Sequence, residues 1–218
     1  DFVATGHYAR VDEESNLLMS KDRNKDQTYF LWTLKSQQLK HCLFPVGKYQ
    51  KPEVRKLAKK FGLPNFAKQD SQGLCFIGKL DLKKFLQKYI KVKKGKVVKI
   101  IDGREKIIGK HDGVWFYTIG EHHHGYIVRK DLKKNILTVS EKPPVLINHV
   151  VNLTDTNWRI RPEAGKIYQA RIRHRGELLT CEVHKNKVTF LKSPGTVAPG
   201  QSLVLYESLK CLGGGIID

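Results

Sequence analysis

Tyr168-Gln-Ala-Arg-Ile-Arg-His174, Leu178-Leu-Thr-Cys-Glu-Val183, Lys187-Val-Thr-Phe190 and Ser202-Leu-Val-Leu-Tyr206 follow one another at short, regular spacing. Each segment is rich in β-branched, aromatic or apolar residues, and turn signals separate them. Strand side chains alternate between two faces, so such a series can bury one face of every segment in a common interior. Several short strands in series read as a small β-barrel. Pro143-Pro144 is the best linker upstream of them, which sets the expected barrel domain at 143–218.

Working outward from the barrel, residues 81–142 read as a small basic central domain. Leu82, Phe85, Leu86 and Tyr89 predict a short helix. Lys91 to Ile101 alternates like a strand and ends at the Asp102-Gly103 turn signal. Val114-Trp-Phe-Tyr-Thr-Ile119 predicts a buried strand. Ile127–Asp131 and Asn135–Ser140, on either side of Leu132-Lys-Lys134, predict a hairpin.

Residues 1–80 read as α/β. Phe2-Val-Ala4 resembles the end of a buried strand, and Leu17-Leu-Met19 a second short one. A helix is expected near Gln37–Cys42. A clearer helix starts around Pro52, carries Val54, Leu57, Ala58 and Phe61 at helical spacing, and stops at Gly62. Lys51, Arg55, Lys56, Lys59 and Lys60 fall on its other face, as an ordinary solvated face would have them.

The 218 residues carry a formal net charge of +19, with 40% hydrophobic and 28% charged residues. A compact chain with that excess repels itself unless a polyanion screens it, so nucleic acid is the natural partner. No apolar run approaches the roughly 20 residues needed to span a bilayer, which points away from a membrane. The four cysteines, Cys42, Cys75, Cys181 and Cys211, are widely dispersed. None has the close spacing of a zinc knuckle, so no metal is expected, and a reducing cytoplasm is the expected location.

Among the cysteines, Cys75 has the most suggestive surroundings. Gly73 and Gly78 flank it, and Lys68 lies just upstream, an arrangement that can expose a thiol and lower its pKa. The residues alone favour a small buried side chain between Leu74 and Phe76 over a reactive thiol. Arg171, Arg173 and Arg175 alternate along a predicted strand, so they are expected on one face, where they could follow a phosphate backbone. His122-His-His124 invites a metal reading, but consecutive strand residues point to alternate faces and seldom converge on one ion.

In context, Asp70-Ser-Gln-Gly-Leu-Cys-Phe-Ile-Gly78 resembles the persulfide-cysteine motif of the bacterial tRNA 2-thiouridylases. Ala4-Thr-Gly-His-Tyr-Ala-Arg10, Lys25-Asp-Gln-Thr-Tyr-Phe-Leu31 and Phe44-Pro-Val-Gly47 match that family in order and spacing. So do Tyr117-Thr-Ile-Gly120, Pro199-Gly-Gln-Ser202 and Leu212-Gly-Gly-Gly-Ile-Ile217. The resemblance covers essentially the whole chain. It implies a partial PP-loop α/β domain of the adenine nucleotide alpha hydrolase type over 1–80, a small central domain, and a tRNA-binding C-terminal β-barrel. It also implies ATP, with magnesium, activating the wobble uridine, and a cysteine persulfide delivering sulfur to give 2-thiouridine.

Carried over by motif, Cys75 is the persulfide carrier and Gly6 offers its backbone amide to ATP. His7, Lys25, Asp26, Gln27, Arg173, His174 and Gln201 contact tRNA. The family usually has tyrosine where His174 stands, and Gln-Arg-x-Gly after Tyr-Thr-Ile-Gly, where this chain has Glu121-His-His-His-Gly125. A cysteine desulfurase or a sulfur-relay protein is the implied sulfur source. The family's Ser-Gly-Gly-x-Asp-Ser loop and Asn-Pro-Asp-x-x-Cys segment, expected upstream of Ala4, do not occur. With Asp1 inside a predicted strand, truncation is the expected reason, and the chain alone is not expected to complete a cycle. The competing reading is a non-catalytic tRNA- or RNA-binding protein derived from the same family.

Overall fold

The computed structural model describes residues 1–68, 81–101, 104–144 and 149–218. They divide into two compact units, one of Asp1–Lys68, Leu146–Pro194 and Pro199–Asp218, the other of Gln69–Val145 and Gly195–Ala198.

The first unit begins with strands β1 (Val3–Ala4), β2 (Ala9–Val11) and β3 (Leu17–Met19). Two single-turn helices follow, α1 (Thr28–Leu31) and α2 (Ser36–Leu39), then β4 (Cys42–Leu43) and α3 (Lys51–Lys60). β1 and β4 pair in parallel. Phe2 and Val3 are 65% and 62% exposed, so the segment expected to be buried is a strand on the surface, with β4 as its sole described partner. The helix expected near Gln37–Cys42 closes at Leu39, and Cys42 already belongs to β4. In α3, Gln50 and Glu53 form a reciprocal capping box, with Pro52 in the first turn and the amide of Phe61 bonding back at the C-terminus.

The rest of this unit is β9 (Val150–Trp158), β10 (Ile167–Arg171), β11 (Leu179–His184), β12 (Lys187–Phe190), β13 (Ser202–Glu207) and β14 (Lys210–Ile217), numbered after the second unit's strands below. They hydrogen-bond in the order β13-β10-β11-β12-β9-β14, and β13 also pairs with β14, which closes a six-stranded barrel. Tyr168 opposes Cys181, Cys181 opposes Phe190, Val183 opposes Val188, and Ala170 opposes Leu205. All are buried and fill the interior. In β13 the alternate residues Val204 and Tyr206 are buried as well. They pack with Ala9, Leu17, Met19, Tyr29, Trp32 and Leu39, so both faces of this strand are covered and its sequence reads as one continuous apolar run.

Through this second core, residues 1–68 dock on the barrel. Arg159 donates from Nη1 to the carbonyls of Trp32 (2.8 Å) and Leu34 (2.9 Å), and from Nη2 to the carbonyl of Cys211 (2.8 Å). Asn157 Nδ2 donates to the same Trp32 carbonyl at 2.8 Å. β3 continues the barrel sheet beside β14, with Leu18 opposite Lys210, and β2 lies beyond β3.

The second unit holds α4 (Leu82–Gln87), β5 (Gly95–Ile101), β6 (Arg104–His111), β7 (Tyr126–Asp131) and β8 (Ile136–Ser140). They form a sheet ordered β6-β5-β8-β7 in which β5 and β8 run parallel. Asp81 caps α4 by accepting from the amide of Lys84, and the β7–β8 hairpin forms as expected. Val114–Phe116 is a single 3-10 turn, not the predicted strand. Gly113, at φ 137, breaks the chain direction just before it. Val114, Phe116 and Tyr117 enter the core while Trp115 stays 54% exposed. The apolar run marked burial correctly, but its length could not separate a turn from a strand.

His111 is 3% exposed, and its Nδ1 accepts from the amide of Gly113 at 2.9 Å. Burial holds its pKa below the ordinary value of 6.5, and nearby His123 acts in the same direction. With the folded pKa depressed, its stabilising contribution is complete above about pH 6.5 and is lost as pH falls from there toward the folded value. The thermal stability of this unit, followed by amide exchange, should therefore fall on acidification from pH 7.5 to 5.5. His111→Gln should flatten that slope, and an unchanged slope would clear His111 of the effect.

Candidate functional site

β1 and β4 run parallel, and the chain leaves β1 through Thr5-Gly6-His7 at the carboxyl end of this pair. That end of an open parallel sheet is where nucleotides bind in α/β folds. Gly6 is exposed, and a side chain there would meet nothing within 4 Å, so its backbone is open to close approach by a ligand. Thr5 Oγ1 and His7 Nδ1 are hydrogen-bonded at 2.9 Å, and the His7 ring stands edge-on to Phe44, 6.4 Å between centroids.

His7 is coupled to the Lys25-Asp-Gln27 loop. The amide of Tyr8 donates to Gln27 Oε1, and the amide of Gln27 donates to the Tyr8 carbonyl, both at 2.9 Å. Asp26, between Lys25 and Gln27, is 1% exposed. Its carboxylate accepts from the Ser20 amide (2.8 Å), the Thr28 hydroxyl (2.6 Å) and Arg171 Nη1 (3.4 Å). The Lys25 loop is thereby tied to the end of β10.

Strand β10 stops at Arg171, and 172–175 form a turn in which Arg175 has φ 60. The expected row of three arginines on one strand face is not formed. Arg171 is 7% exposed and turned toward Asp26, whereas Arg173 and Arg175 are exposed on the turn. The sequence period ended where the strand ended. The turn keeps the cations together nonetheless, and Arg23, Asn24, Lys25, Arg171 and Arg175 line one recess of about 340 Å³.

The same corner gathers the remaining candidates. The His174 ring lies 4.6 Å from that of Phe30, and 6.3 Å from that of Tyr29. Burial lowers the His174 pKa first, and the charges of Arg175 and Arg171 add to that against the opposing pull of Asp26. The Tyr29 hydroxyl donates to the carbonyls of Ser202 (2.8 Å) and Ile172 (3.3 Å). This draws the residues next to them, Gln201 and Arg173, to one rim of the barrel. His7, the Lys25–Gln27 loop, Arg173, His174 and Gln201, scattered over about 200 positions, thus share a connected surface of the first unit. Phe30, which is 54% exposed, belongs to that surface although sequence reasoning passed over it. Its place in the Lys25–Leu31 motif was the available signal.

Cys75 lies outside the described residues, as do Asp70 and Gly78. Burial pushes the Cys181 thiol up to about 12 and the Cys211 thiol up to about 11. Both are therefore inert as nucleophiles. Among the described residues no group of three or more histidine, cysteine or acidic side chains is arranged to hold a metal. Within His122-His-His124, His122 stands against Tyr126, whereas the His123 and His124 rings lie edge to face with 4.7 Å between centroids, and His123 also packs on Tyr117. Among the described residues no helix is long and apolar enough to cross a membrane.

An α/β segment docked on a closed six-stranded barrel, with basic and aromatic side chains gathered at the corner where they meet, defines the architecture of the first unit. Residues 1–79 match the tRNA methyl transferase HUP domain model, 83–141 the tRNA methyl transferase PRC-barrel domain, and 148–217 the aminomethyltransferase beta-barrel domain. The tRNA-specific 2-thiouridylase of Geobacillus thermodenitrificans is 41% identical over the whole of this chain, which covers 64% of that relative. Those of Nitrosomonas eutropha and of a serogroup C Neisseria meningitidis strain are 39% and 40% identical, with 66% and 64% of their lengths covered. The chain belongs to the tRNA-specific 2-thiouridylase family, and it spans just under two thirds of the length of these relatives.

Proposed function

We propose that this chain supplies the tRNA-docking face and the sulfur-carrying cysteine of a tRNA 2-thiouridylase, an ATP-dependent sulfurtransferase acting on the wobble uridine. The observation that carries this reading is the shared surface of His7, Gln27, Phe30, Arg173, His174 and Gln201. Its basic groups suit a phosphate backbone and its exposed rings suit unstacked bases, which is how single-stranded loops of RNA are held. The net charge of +19 and the names of the relatives support the same reading.

Within that reading the residues divide the work. Gly6 offers an open backbone amide to ATP at the carboxyl end of β1, and magnesium accompanies the nucleotide. ATP supplies the adenylate that turns the uridine C2 oxygen into a leaving group. Cys75 would carry the persulfide, loaded by a cysteine desulfurase or a relay protein. Its terminal sulfur attacks C2 and AMP leaves with the oxygen. A second thiol then attacks the Cys75 sulfur, breaking the S–S bond, freeing 2-thiouridine and leaving a disulfide on Cys75. Asp26 holds the Lys25–Gln27 loop against Arg171 from within, so its effect on tRNA passes through the loop. The division of labour follows 1–80 for ATP and sulfur, 81–142 for the central domain and 143–218 for the barrel, and the cytoplasm is the working compartment.

The test is complementation. The full-length gene product should restore 2-thiouridine in the tRNA of a thiouridylase-deficient host, and Cys75→Ser should lower it at least 100-fold. Normal 2-thiouridine with Cys75→Ser would remove Cys75 from the chemistry. Salt-dependent tRNA binding without restored thiolation by the unaltered protein would favour a non-catalytic RNA-binding role.

A further inference from the structure

We propose that the recess lined by Arg23, Asn24, Lys25, Arg171 and Arg175 is a discrete phosphate site that grips one backbone phosphate of the bound RNA. The proposal rests on the tRNA reading above and adds to it a defined pocket and three arginines, Arg23, Arg171 and Arg175, that the family resemblance does not assign.

The recess is built from both sides. Asp22 shapes the loop wall, with Oδ1 accepting from the amides of Asn24 (3.1 Å) and Lys25 (3.2 Å) and Oδ2 from the amide of Lys51 (3.0 Å). Its carboxylate is thus spent on holding the turn that presents Arg23, Asn24 and Lys25. The opposite wall comes from the end of β10, where Arg171 is 7% exposed and its Nε is buried without a hydrogen-bond partner. Its bond to Asp26 is long, at 3.4 Å. A buried guanidinium N–H left without an acceptor is costly, and an anion in the recess that Arg171 lines would add a counter-charge beside that guanidinium.

Charge and lining agree on the ligand. Four cationic side chains and one amide line about 340 Å³, and among the described residues no carboxylate does. Arg171 has Asp26 as a counter-ion at 3.4 Å, and an anion in the recess would further offset the mutual repulsion of the cations around it. Guanidinium groups match phosphate oxygens with paired N–H donors, which suits three arginines to this ligand. The lining offers neither an aromatic nor an apolar wall for a base or ribose, so the site reads the phosphate alone. That favours a backbone phosphate of an RNA strand held elsewhere by bases over a free nucleotide.

The test compares tRNA binding by the chain and two charge-matched double variants across a salt series. Arg23→Gln with Arg175→Gln removes two exposed cations of the recess and leaves buried Arg171 in place. Lys56→Gln with Lys60→Gln removes two exposed cations of α3. The recess variant should bind tRNA about tenfold more weakly at 0.1 M salt. The slope of log affinity against log salt should fall by about 0.7–0.9, the signature of one lost phosphate contact. The α3 variant should stay within about twofold, and both should keep the parent melting temperature. A recess variant that binds like the α3 variant would overturn the phosphate site while leaving the tRNA reading intact. Absent or salt-insensitive binding by the unaltered chain would overturn both. Titration with inorganic phosphate separates the sources: phosphate binding lost in the recess variant, with tRNA affinity unchanged, would overturn the RNA assignment in favour of free phosphate.

Discussion

Asp26→Ala is expected to cost the first unit about 3–5 kcal/mol of unfolding free energy, the range for removing one partner of a buried ion pair. The carboxylate is 1% exposed and engages the Ser20 amide, the Thr28 hydroxyl and Arg171. Its loss leaves the Arg171 charge buried, with Nε already lacking an acceptor, and leaves a buried backbone donor unmet. Urea unfolding followed by the fluorescence of Trp32, which is buried where residues 1–68 dock, measures the cost. Adding Arg171→Met should return at least half of it, because removing both charges avoids the orphaned one. A single-variant cost below about 1 kcal/mol would mean that water or other groups already satisfy Arg171.

Gly213→Ala should be at least as damaging, with an expected loss of at least about 4 kcal/mol, the range reserved for backbone strain and overpacking together. Gly213 sits at φ 137 in β14, and a Cβ there would lie 2.1 Å from the Asn157 carbonyl oxygen. Its neighbour Gly214 is confined from the other side, with a Cβ 2.4 Å from the Leu203 carbonyl oxygen. β14 bonds to β9 and to β13 and so closes the barrel. Neither neighbour can withdraw without opening it. Gly165, also at positive φ but with nothing within 4 Å, is the control, and Gly165→Ala should cost only about 1 kcal/mol of backbone strain. The two variants are compared by urea midpoint and by amide exchange in β9 and β14. Equal costs would show that the barrel seam is not the constraint.

Elements whose burial is regular were legible from the residues. β10 to β13 have one face in the barrel interior, α3 has a capping box and spaced apolar residues, and the β7–β8 hairpin carries its own turn. The six-stranded closure was less so, because β14 is half glycine at its centre, and glycine carries no strand preference and no side-chain pattern. Its sequence marked it as unusual. Only the backbone of Asn157 and Leu203 pressing from both sides explains why nothing larger fits.

For the site, the residues in order show which side-chain types are at hand: an excess of cations, a motif with Lys25 to Leu31, and arginines near 171–175. Tertiary structure decided what they became. Period-two reading placed three arginines on one face, but β10 ends at Arg171, and the turn sends Arg171 inward to Asp26 and Arg173 and Arg175 outward. Tyr29 brings Arg173 and Gln201 together by bonding to the carbonyls of their neighbours, across separations of 143 and 173 residues. Local pattern records the environment of each residue relative to its own strand or helix. Which strand ends, which carbonyl is reached and which charge is buried depend on contacts between segments far apart in the chain, and those are settled by packing.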